Sequence, residues 1–225
     1  MKTKSWMIPA AFFLAAAIVN LMGQESMHHL ARLTKPALLP LVALTTVAAA
    51  GGMEKRSVRL LVTAQLFGCL GDILLQRGEF LCFVGGMAAF LIGHVFYITL
   101  FGGKSWKGLG LKVWIPSLVA MAAIVAGLIV AIGINGDLLL PMIVYGMTLM
   151  LLIFSTLAGA VRLGGFWWIL LAGTVLFTFS DTLIATQSFE MAPFAGKDFT
   201  IMSTYLVAQC LLAYGGLRIA ASESR

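Results

Sequence analysis

Long apolar runs, separated by short polar or glycine-rich breaks, occupy most of the chain. A helix that crosses a bilayer needs about 20 mostly apolar residues, because each residue adds only about 1.5 Å of rise. No alternation of apolar and polar residues with a period of two occurs, which argues against a transmembrane β-barrel. The sequence therefore predicts an all-α integral membrane protein with eight transmembrane helices, near 5–22, 36–50, 58–76, 80–101, 111–134, 138–161, 165–187 and 199–220.

The composition supports this class of protein. The 225 residues are 60% hydrophobic and only 11% charged, whereas soluble domains carry about 25% charged residues. We therefore predict a single transmembrane domain over residues 1–225, with no room for a separate soluble domain. Cys69, Cys82 and Cys210 lie far apart inside apolar runs without metal-ligand spacing, which favours small core residues.

The basic residues indicate orientation rather than a nucleic-acid partner. The net charge is +6, but Lys and Arg lie in short loops between apolar runs, where orientation signals occur. Eleven of the 15 lie on the side of the two termini, among them Lys55, Lys104 and Arg162. The sequence thus predicts that both termini are cytoplasmic and that the protein lies in a bacterial inner membrane, with an internal eukaryotic membrane as the alternative.

Two carboxylates interrupt the predicted spans. An ionised Asp at the centre of a spanning helix costs about 2.5–3.5 kcal/mol on insertion scales, so Asp72 and Asp181 each need a reason. The helical rise places them at similar depth, roughly 6 Å and 9 Å from the outer ends of their helices. We interpret the site as a polar pocket open to the outer leaflet; the alternative is that each Asp only fixes helix packing. Polar residues from other spans converge near this level: Lys35, Tyr145, Tyr205 and Gln209.

His94 is harder to assign from the sequence. It lies in the fourth span, nearer the cytoplasmic side, and follows a ridge of small residues formed by Gly85, Ala89 and Gly93. A packed histidine that is bonded to another helix is favoured over a functional group. His28 and His29 are adjacent in a predicted loop, and no spacing resembles a zinc-ligand triad, so we expect no metal and no other cofactor.

The two Asp-containing stretches resemble one another. LFGCLGDILL and VLFTFSDTLI align at an offset of 109 residues and share the Asp, a following Leu and their apolar character. With eight spans, this similarity is compatible with a weak 4+4 internal repeat.

Six short motifs occur in order along the chain: TKPALLPL (34–41), GDILL (71–75), FLIGHVFY (90–97), VYGMTL (144–149), FSDTL (179–183) and TYLVAQCLLAYG (204–215). Together they resemble the lysoplasmalogenase family of YhhN-like membrane proteins. The resemblance implies an eight-helix hydrolase that cleaves the vinyl ether bond of lysoplasmalogens to a fatty aldehyde and a glycerophospho-ethanolamine or -choline. It also implies that Asp72 and Asp181 match the suspected catalytic pair, Lys35 the Lys of the TKP motif, and His94 the GH histidine.

The chemistry of vinyl ether hydrolysis suits two carboxylates. Protonation at carbon forms an oxocarbenium ion, which water then captures, so one group must hold a proton and another must stabilise the cation. Two carboxylates in one apolar pocket can divide these roles, and the sequence leaves open which is the acid. Lys35 is expected to attract the lipid phosphate, while hydroxyl and amide groups orient water or the glycerol hydroxyl. The predicted substrate-binding residues are Lys35, His94, Tyr145, Ser180, Tyr205 and Gln209.

Two other classes of protein also place carboxylates inside the membrane. An intramembrane aspartyl protease requires a GxGD motif. Here Cys69, Leu70 and Gly71 precede Asp72, so the first glycine of the motif is missing, and no PAL motif follows. A non-catalytic lipid or small-molecule transporter or binding protein is the alternative to the hydrolase. Release of free aldehyde from lysoplasmalogen distinguishes the hydrolase from that alternative.

Overall fold

The computed structural model describes residues 5–188 and 194–223. Within these residues the fold contains eight long α-helices and no strand, and all eight helices are long and apolar enough to span a membrane. This confirms the predicted class, an all-α integral membrane protein. The helices are α1 (Met7–Ser26), α2 (His28–Ala50), α3 (Arg56–Leu75), α4 (Phe80–Ser105), α5 (Leu111–Ile132), α6 (Leu139–Leu163), α7 (Trp167–Ser188) and α8 (Lys197–Ser222).

The largest difference from the predicted bounds is at the start of α2. The apolar run begins at Pro36, but the helix begins eight residues earlier, at His28, and contains both Pro36 and Pro40. A hydropathy pattern stops at the first charged residues, whereas backbone hydrogen bonding continues past them. The extension places His28, Arg32 and Lys35 at spacings of four and three, on one helix face.

Pro40 creates a contact between α2 and α3. Because Pro40 has no backbone N–H, the carbonyl of Pro36 lacks its normal helical donor. The Cys69 thiol donates to that carbonyl instead, with Sγ and O 3.4 Å apart. The cysteines differ in burial, since Cys69 is buried and Cys210 is exposed, so the expectation of a core position is wrong for Cys210.

Five helices form a closed ring in which each packs on the next, in the order α3, α4, α6, α7, α8 and back to α3. Helices α1 and α2 pack on the α3–α8 side, whereas α5 packs chiefly on α6 and buries only Met121 and Val125. Large apolar side chains fill the ring on the side of the chain termini. They include the fully buried Leu61, Phe101, Leu152, Leu170 and Leu212.

Hydrogen bonds between helices supplement this packing. In lipid, helix association depends on close packing and polar contacts, because lipid tails are as apolar as Leu. Gln65 donates to Thr46 Oγ1 at 3.2 Å, and Tyr97 donates to Gln209 Oε1 at 2.9 Å. Each such bond contributes about 0.6 kcal/mol on average in membrane proteins. The orientation of the termini and the 4+4 repeat stay predictions.

Candidate active site

Each helix of the five-helix ring directs one polar side chain inward at a common level. None of these side chains lies on the lipid face of the ring. The inward residues are Asp72 on α3, His94 on α4, Tyr145 on α6, Asp181 on α7 and Tyr205 on α8; all are buried except Tyr145, which is partly buried. The ring therefore collects five of the residues singled out from the sequence. They form two clusters, one around each aspartate.

The first cluster surrounds Asp72. Lys35 of α2 places its Nζ 3.3 Å from Asp72 Oδ1, and the Tyr205 hydroxyl donates to Oδ2 at 2.8 Å. An ammonium and a hydroxyl donor on the two oxygens of one carboxylate stabilise its ionised form. Lys35 reaches Asp72 from outside the ring, because α2 packs against α3 and α8.

The second cluster surrounds Asp181, whose described ion-pair partner is a histidine in place of a lysine. The Tyr145 hydroxyl donates a hydrogen bond to Asp181 Oδ2. His94 Nε2 lies 3.9 Å from the same oxygen, which is longer than a hydrogen bond. Both His94 ring nitrogens are buried, and neither has a hydrogen-bond partner among the described residues. The sequence placed His94 deeper than Asp181, but the offset of the helices brings the two groups to one level.

An aromatic wall formed by Phe90 and Phe177 lies between the clusters. The Phe177 ring centroid is 5.1 Å from that of His94 and 5.7 Å from that of Tyr205. The Phe90 ring lies 6.4 Å from both of these rings. Each aromatic ring therefore contacts one member of each cluster. The two carboxylates on either side of the wall remain within electrostatic reach of each other.

Gly71, which precedes Asp72, has no side chain and so leaves room for the Phe90 ring in the wall. A Cβ at position 71 would lie 2.6 Å from the Phe90 ring, closer than real Cβ contacts. Gly68, one turn earlier, leaves space for Leu39 in the same way, because a Cβ there would lie 2.7 Å from Leu39 Cδ1. The glycine of the GDILL motif is thus required by the packing of α3 on α4.

Two predicted substrate-binding residues lie away from the clusters. Ser180 is fully buried, and its hydroxyl donates to the Ile201 carbonyl of α8 at 3.0 Å. Gln209 lies one turn beyond Tyr205 and accepts from Tyr97. Both side chains therefore connect helices, and neither touches Asp72 or Asp181 directly.

A polar cavity of about 450 Å³ opens at the end of the bundle where α3 turns into α4. It is lined by the α2 face that carries His28, Arg32 and Lys35, by the turn residue Gly78, and by the start of α8. Gly78 has φ +71°, a conformation that glycine adopts without strain. Gln76 also lines this cavity, and its Nε2 atom is buried without a hydrogen-bond partner.

An apolar groove runs between α4, α5, α6 and α7 and encloses about 80 Å³. Its polar lining includes Tyr145, Thr178 and Asp181. Leu75, Phe83 and Ile184 line both the groove and the polar cavity, so the two spaces adjoin at these three side chains. Lys35 faces the cavity and Asp181 faces the groove, which places the paired carboxylates beside the junction.

Sequence reasoning missed several contributors to this arrangement. Arg32 lines the polar cavity, while Phe90 and Phe177 form the wall. The spacing from His28 to Lys35 could have indicated a common helix face, if the helix had been extended past Pro36. Within the described residues, no three His, Cys, Asp or Glu side chains are grouped so that they could hold a metal ion.

Comparison with known proteins identifies the family. The YhhN family profile matches residues 30–216, so the chain belongs to the YhhN family. A mouse protein named lysoplasmalogenase TMEM86B is 31% identical over 223 residues, covering 96% of this chain and 88% of the mouse protein. The pig protein of that name is 30% identical over 210 residues (92% and 84%), and the human one is 30% identical over 163 residues (71% and 64%). No solved structure matches the chain. The resemblance drawn from the six motifs is thereby confirmed.

Proposed function

We propose that this protein is a lysoplasmalogenase that cleaves the vinyl ether bond of lysoplasmalogens by means of Asp72 and Asp181. The observation that carries the proposal is a pair of buried carboxylates with different partners, beside the junction of a polar cavity and an apolar groove. Relatives at about 30% identity bear the name lysoplasmalogenase. A lysolipid has one polar head group and one chain, which matches the two adjoining spaces.

Asp181 is assigned as the general acid. Its contacts are a tyrosine hydroxyl and an imidazole that lacks hydrogen-bond partners, and it faces an apolar groove. Such surroundings favour the neutral carboxyl group. Asp181 transfers its proton to the vinyl carbon remote from oxygen. The π electrons form the new C–H bond, and the ether oxygen shares its lone pair with the adjacent carbon to give the oxocarbenium ion.

Asp72 is assigned as the carboxylate that stabilises this cation and accepts a proton from water. The Lys35 ammonium and the Tyr205 hydroxyl favour its ionised form before reaction. Water adds to the oxocarbenium carbon and gives a proton to Asp72, which forms a hemiacetal. The hemiacetal hydroxyl then returns a proton to Asp181, the bond to the glycerol oxygen breaks, and Asp72 protonates that oxygen. The products are an aldehyde and a free glycerol hydroxyl, and both carboxyl groups regain their starting states.

The remaining predicted residues support these steps. His94 has two unpartnered nitrogens 3.9 Å or more from Asp181 Oδ2, so we assign it to positioning the attacking water. Tyr145 and Tyr205 orient the two carboxyl groups, and Lys35 faces the lipid phosphate from the polar cavity. Ser180 and Gln209 act indirectly, because they fix α7 and α8 behind the site.

The lipid enters sideways in this proposal. Helix α5 lines the groove through Val125, Leu128 and Ile129 and packs chiefly on α6. A chain that leaves the bilayer between α4 and α5 therefore meets few helix contacts. With the predicted orientation, the polar cavity faces the outer leaflet of a bacterial inner membrane, as expected for a substrate that comes from that leaflet.

The direct test uses the purified protein in lipid nanodiscs with lysoplasmenyl-ethanolamine, and measures free fatty aldehyde. The matched control lipid has a saturated alkyl ether at the same position, which cannot form the oxocarbenium ion by protonation at carbon. Aldehyde from the vinyl ether lipid alone supports the proposal. Binding of both lipids without release of aldehyde contradicts it and favours a lipid-binding or transport protein.

A further inference from the structure

We infer that the polar cavity is a phosphodiester site in which Arg32 and Gln76 bind the head group of the lysolipid. The inference rests on the proposed function for the identity of the lipid. Its structural basis is separate, since it comes from the α2 face, the end of α3 and the shape of the cavity. The following observations lead to it.

Arg32 contributes a guanidinium group to the cavity lining. The exposed Arg32 side chain forms no ion pair or hydrogen bond with the residues that the structure describes, whereas Lys35, on the same helix face, is paired with Asp72. A guanidinium group presents parallel N–H donors that match two phosphate oxygens. Arg32 therefore adds to the cavity, beside Lys35, a cation that no described carboxylate neutralises.

Gln76 supplies an independent indication of a ligand. Gln76 lines the cavity, and its buried Nε2 atom donates to no residue that the structure describes. A buried donor without a partner destabilises the protein by about 1–3 kcal/mol. An anionic oxygen in the cavity would satisfy this donor. Gln76 is the C-cap residue of α3 and follows Asp72 by four residues, so the same helix connects the phosphate site with the catalytic carboxylate.

The charges of the lining suit a zwitterionic head group. Asp198, at the start of α8, lines the same cavity as Arg32 and Lys35. A carboxylate there can face the ammonium of ethanolamine or choline while the arginine faces the phosphate. The cavity, at about 450 Å³, falls in the range of sites for small molecules, roughly 300–1,000 Å³.

The position of the cavity fixes the register of the lipid. Leu75, Phe83 and Ile184 separate the cavity from the apolar groove. A phosphate held by Arg32 leaves the glycerol at this junction and the chain in the groove. The vinyl ether bond, which joins glycerol to chain, then lies beside the two aspartates. Head-group binding thus selects the bond that is cleaved.

The test measures binding of uncleavable lipids to the purified full chain by isothermal titration calorimetry. The probes are hexadecyl-ether lysophosphoethanolamine and hexadecylglycerol, which lacks the phosphate. Arg32→Gln should weaken binding of the first by about 10–100-fold, since a hydrogen bond to a charged group contributes about 1.5–3 kcal/mol, and leave the second unchanged. Gln76→Leu should weaken the first about 3–10-fold. Arg77→Gln is the matched control, because Arg77 is exposed at the same end but does not line the cavity.

Three outcomes overturn the inference. Wild-type affinity of Arg32→Gln for the phospholipid probe excludes the guanidinium contact, and equal loss for both probes indicates a packing defect instead. Free glycerophosphoethanolamine that binds as tightly as the lipid makes the cavity a site for soluble phosphodiesters. Aldehyde release is measured separately. Binding that depends on Arg32 but is not followed by aldehyde release contradicts the proposed hydrolase activity and still supports the head-group site.

Discussion

Asp72 and Asp181 occupy comparable positions in the ring, but the side chains that surround them differ in charge. Each lies within a buried segment of a ring helix and accepts a hydrogen bond from a tyrosine of another ring helix. Asp72 also has a lysine 3.3 Å away, supplied by α2. Asp181 instead has a histidine at 3.9 Å and faces the apolar groove. The difference comes from what packs outside the ring, since α2 covers the Asp72 side and α5 lies beyond α6.

This asymmetry is how one fold obtains an acid and a base from the same residue type. A nearby cation stabilises the carboxylate, whereas an apolar environment stabilises the neutral acid. Two carboxylates with identical surroundings would share one proton and leave the direction of transfer undefined. The predictions below test whether the two sides differ as their surroundings imply.

The largest effect is expected from the acid. Asp181→Asn removes the transferable proton and should lower kcat by about 10³-fold, because positioned acid–base groups contribute roughly 10²–10⁴-fold. Asp72→Asn keeps the acid and should cost about 10²-fold. Aldehyde release measures both, with Asp137→Asn as the control at an exposed carboxylate. A smaller loss of kcat for Asp181→Asn than for Asp72→Asn would reverse the assignment of acid and base. A wild-type kcat for either variant would contradict the paired mechanism.

The next prediction concerns stability on the Asp72 side. Lys35→Met leaves a buried carboxylate without its cation, and breaking a buried pair in this way costs about 3–5 kcal/mol. The residual exposure of Lys35, 18% of its side chain, places the expected loss near the lower end. The double variant Lys35→Met/Asp72→Asn removes the stranded charge and should recover most of the loss.

Thermal unfolding in detergent measures this coupling. The comparison requires Lys35→Met, Asp72→Asn and the double variant, so that the interaction is read from a double-mutant cycle. A double variant whose loss of stability equals the sum of the two single losses would show that the ion pair contributes no stability. The Asp181 side provides the contrast, since His94→Gln strands no charge and should leave the Tm nearly unchanged.

The number and type of the helices can be predicted from the positions of apolar runs along the sequence. Apolar runs of membrane length predict eight helices, because backbone hydrogen bonds must be satisfied within the segment in lipid. The start of α2 could not be predicted in the same way, since hydropathy does not distinguish a polar helix end from a loop. The predicted span began at residue 36, yet Pro36 lies inside α2, and Cys69 supplies a donor where Pro40 provides none.

The candidate site is predictable in its members and less so in its contacts. Buried ionisable groups stand out in an apolar sequence, which indicated Asp72, Asp181 and His94. Their partners depend on helix offset and rotation, so counting residues from the helix ends placed His94 too deep. Ser180, adjacent to Asp181, points towards α8 rather than the site, because successive residues on a helix face about 100° apart.

The tyrosines should show a moderate and unequal effect. Tyr145→Phe removes the hydroxyl that contacts the proposed acid and should lower kcat about 10–30-fold. Tyr205→Phe removes one of the two partners of Asp72 and should lower it only about 3–10-fold, because Lys35 remains. Tyr214→Phe is the control, since Tyr214 is exposed on α8. Equal losses for Tyr145→Phe and Tyr205→Phe would contradict the difference between the clusters.

The smallest effect concerns the aromatic wall between the clusters. Gly71→Ala adds a Cβ 2.6 Å from the Phe90 ring, so Phe90 must move away from Tyr205 and His94. We expect a net destabilisation of about 1 kcal/mol, because overpacking costs about 1–3 kcal/mol and the helix gains about 0.5–1 kcal/mol from replacing glycine. Aldehyde release should fall only two- to threefold. Gly127→Ala is the opposite case: a Cβ there meets nothing within 4 Å, so only the helix gain remains and the Tm should rise. If Gly71→Ala also raises the Tm and leaves turnover unchanged, Phe90 can shift freely, and the two carboxylate clusters do not depend on the wall between them.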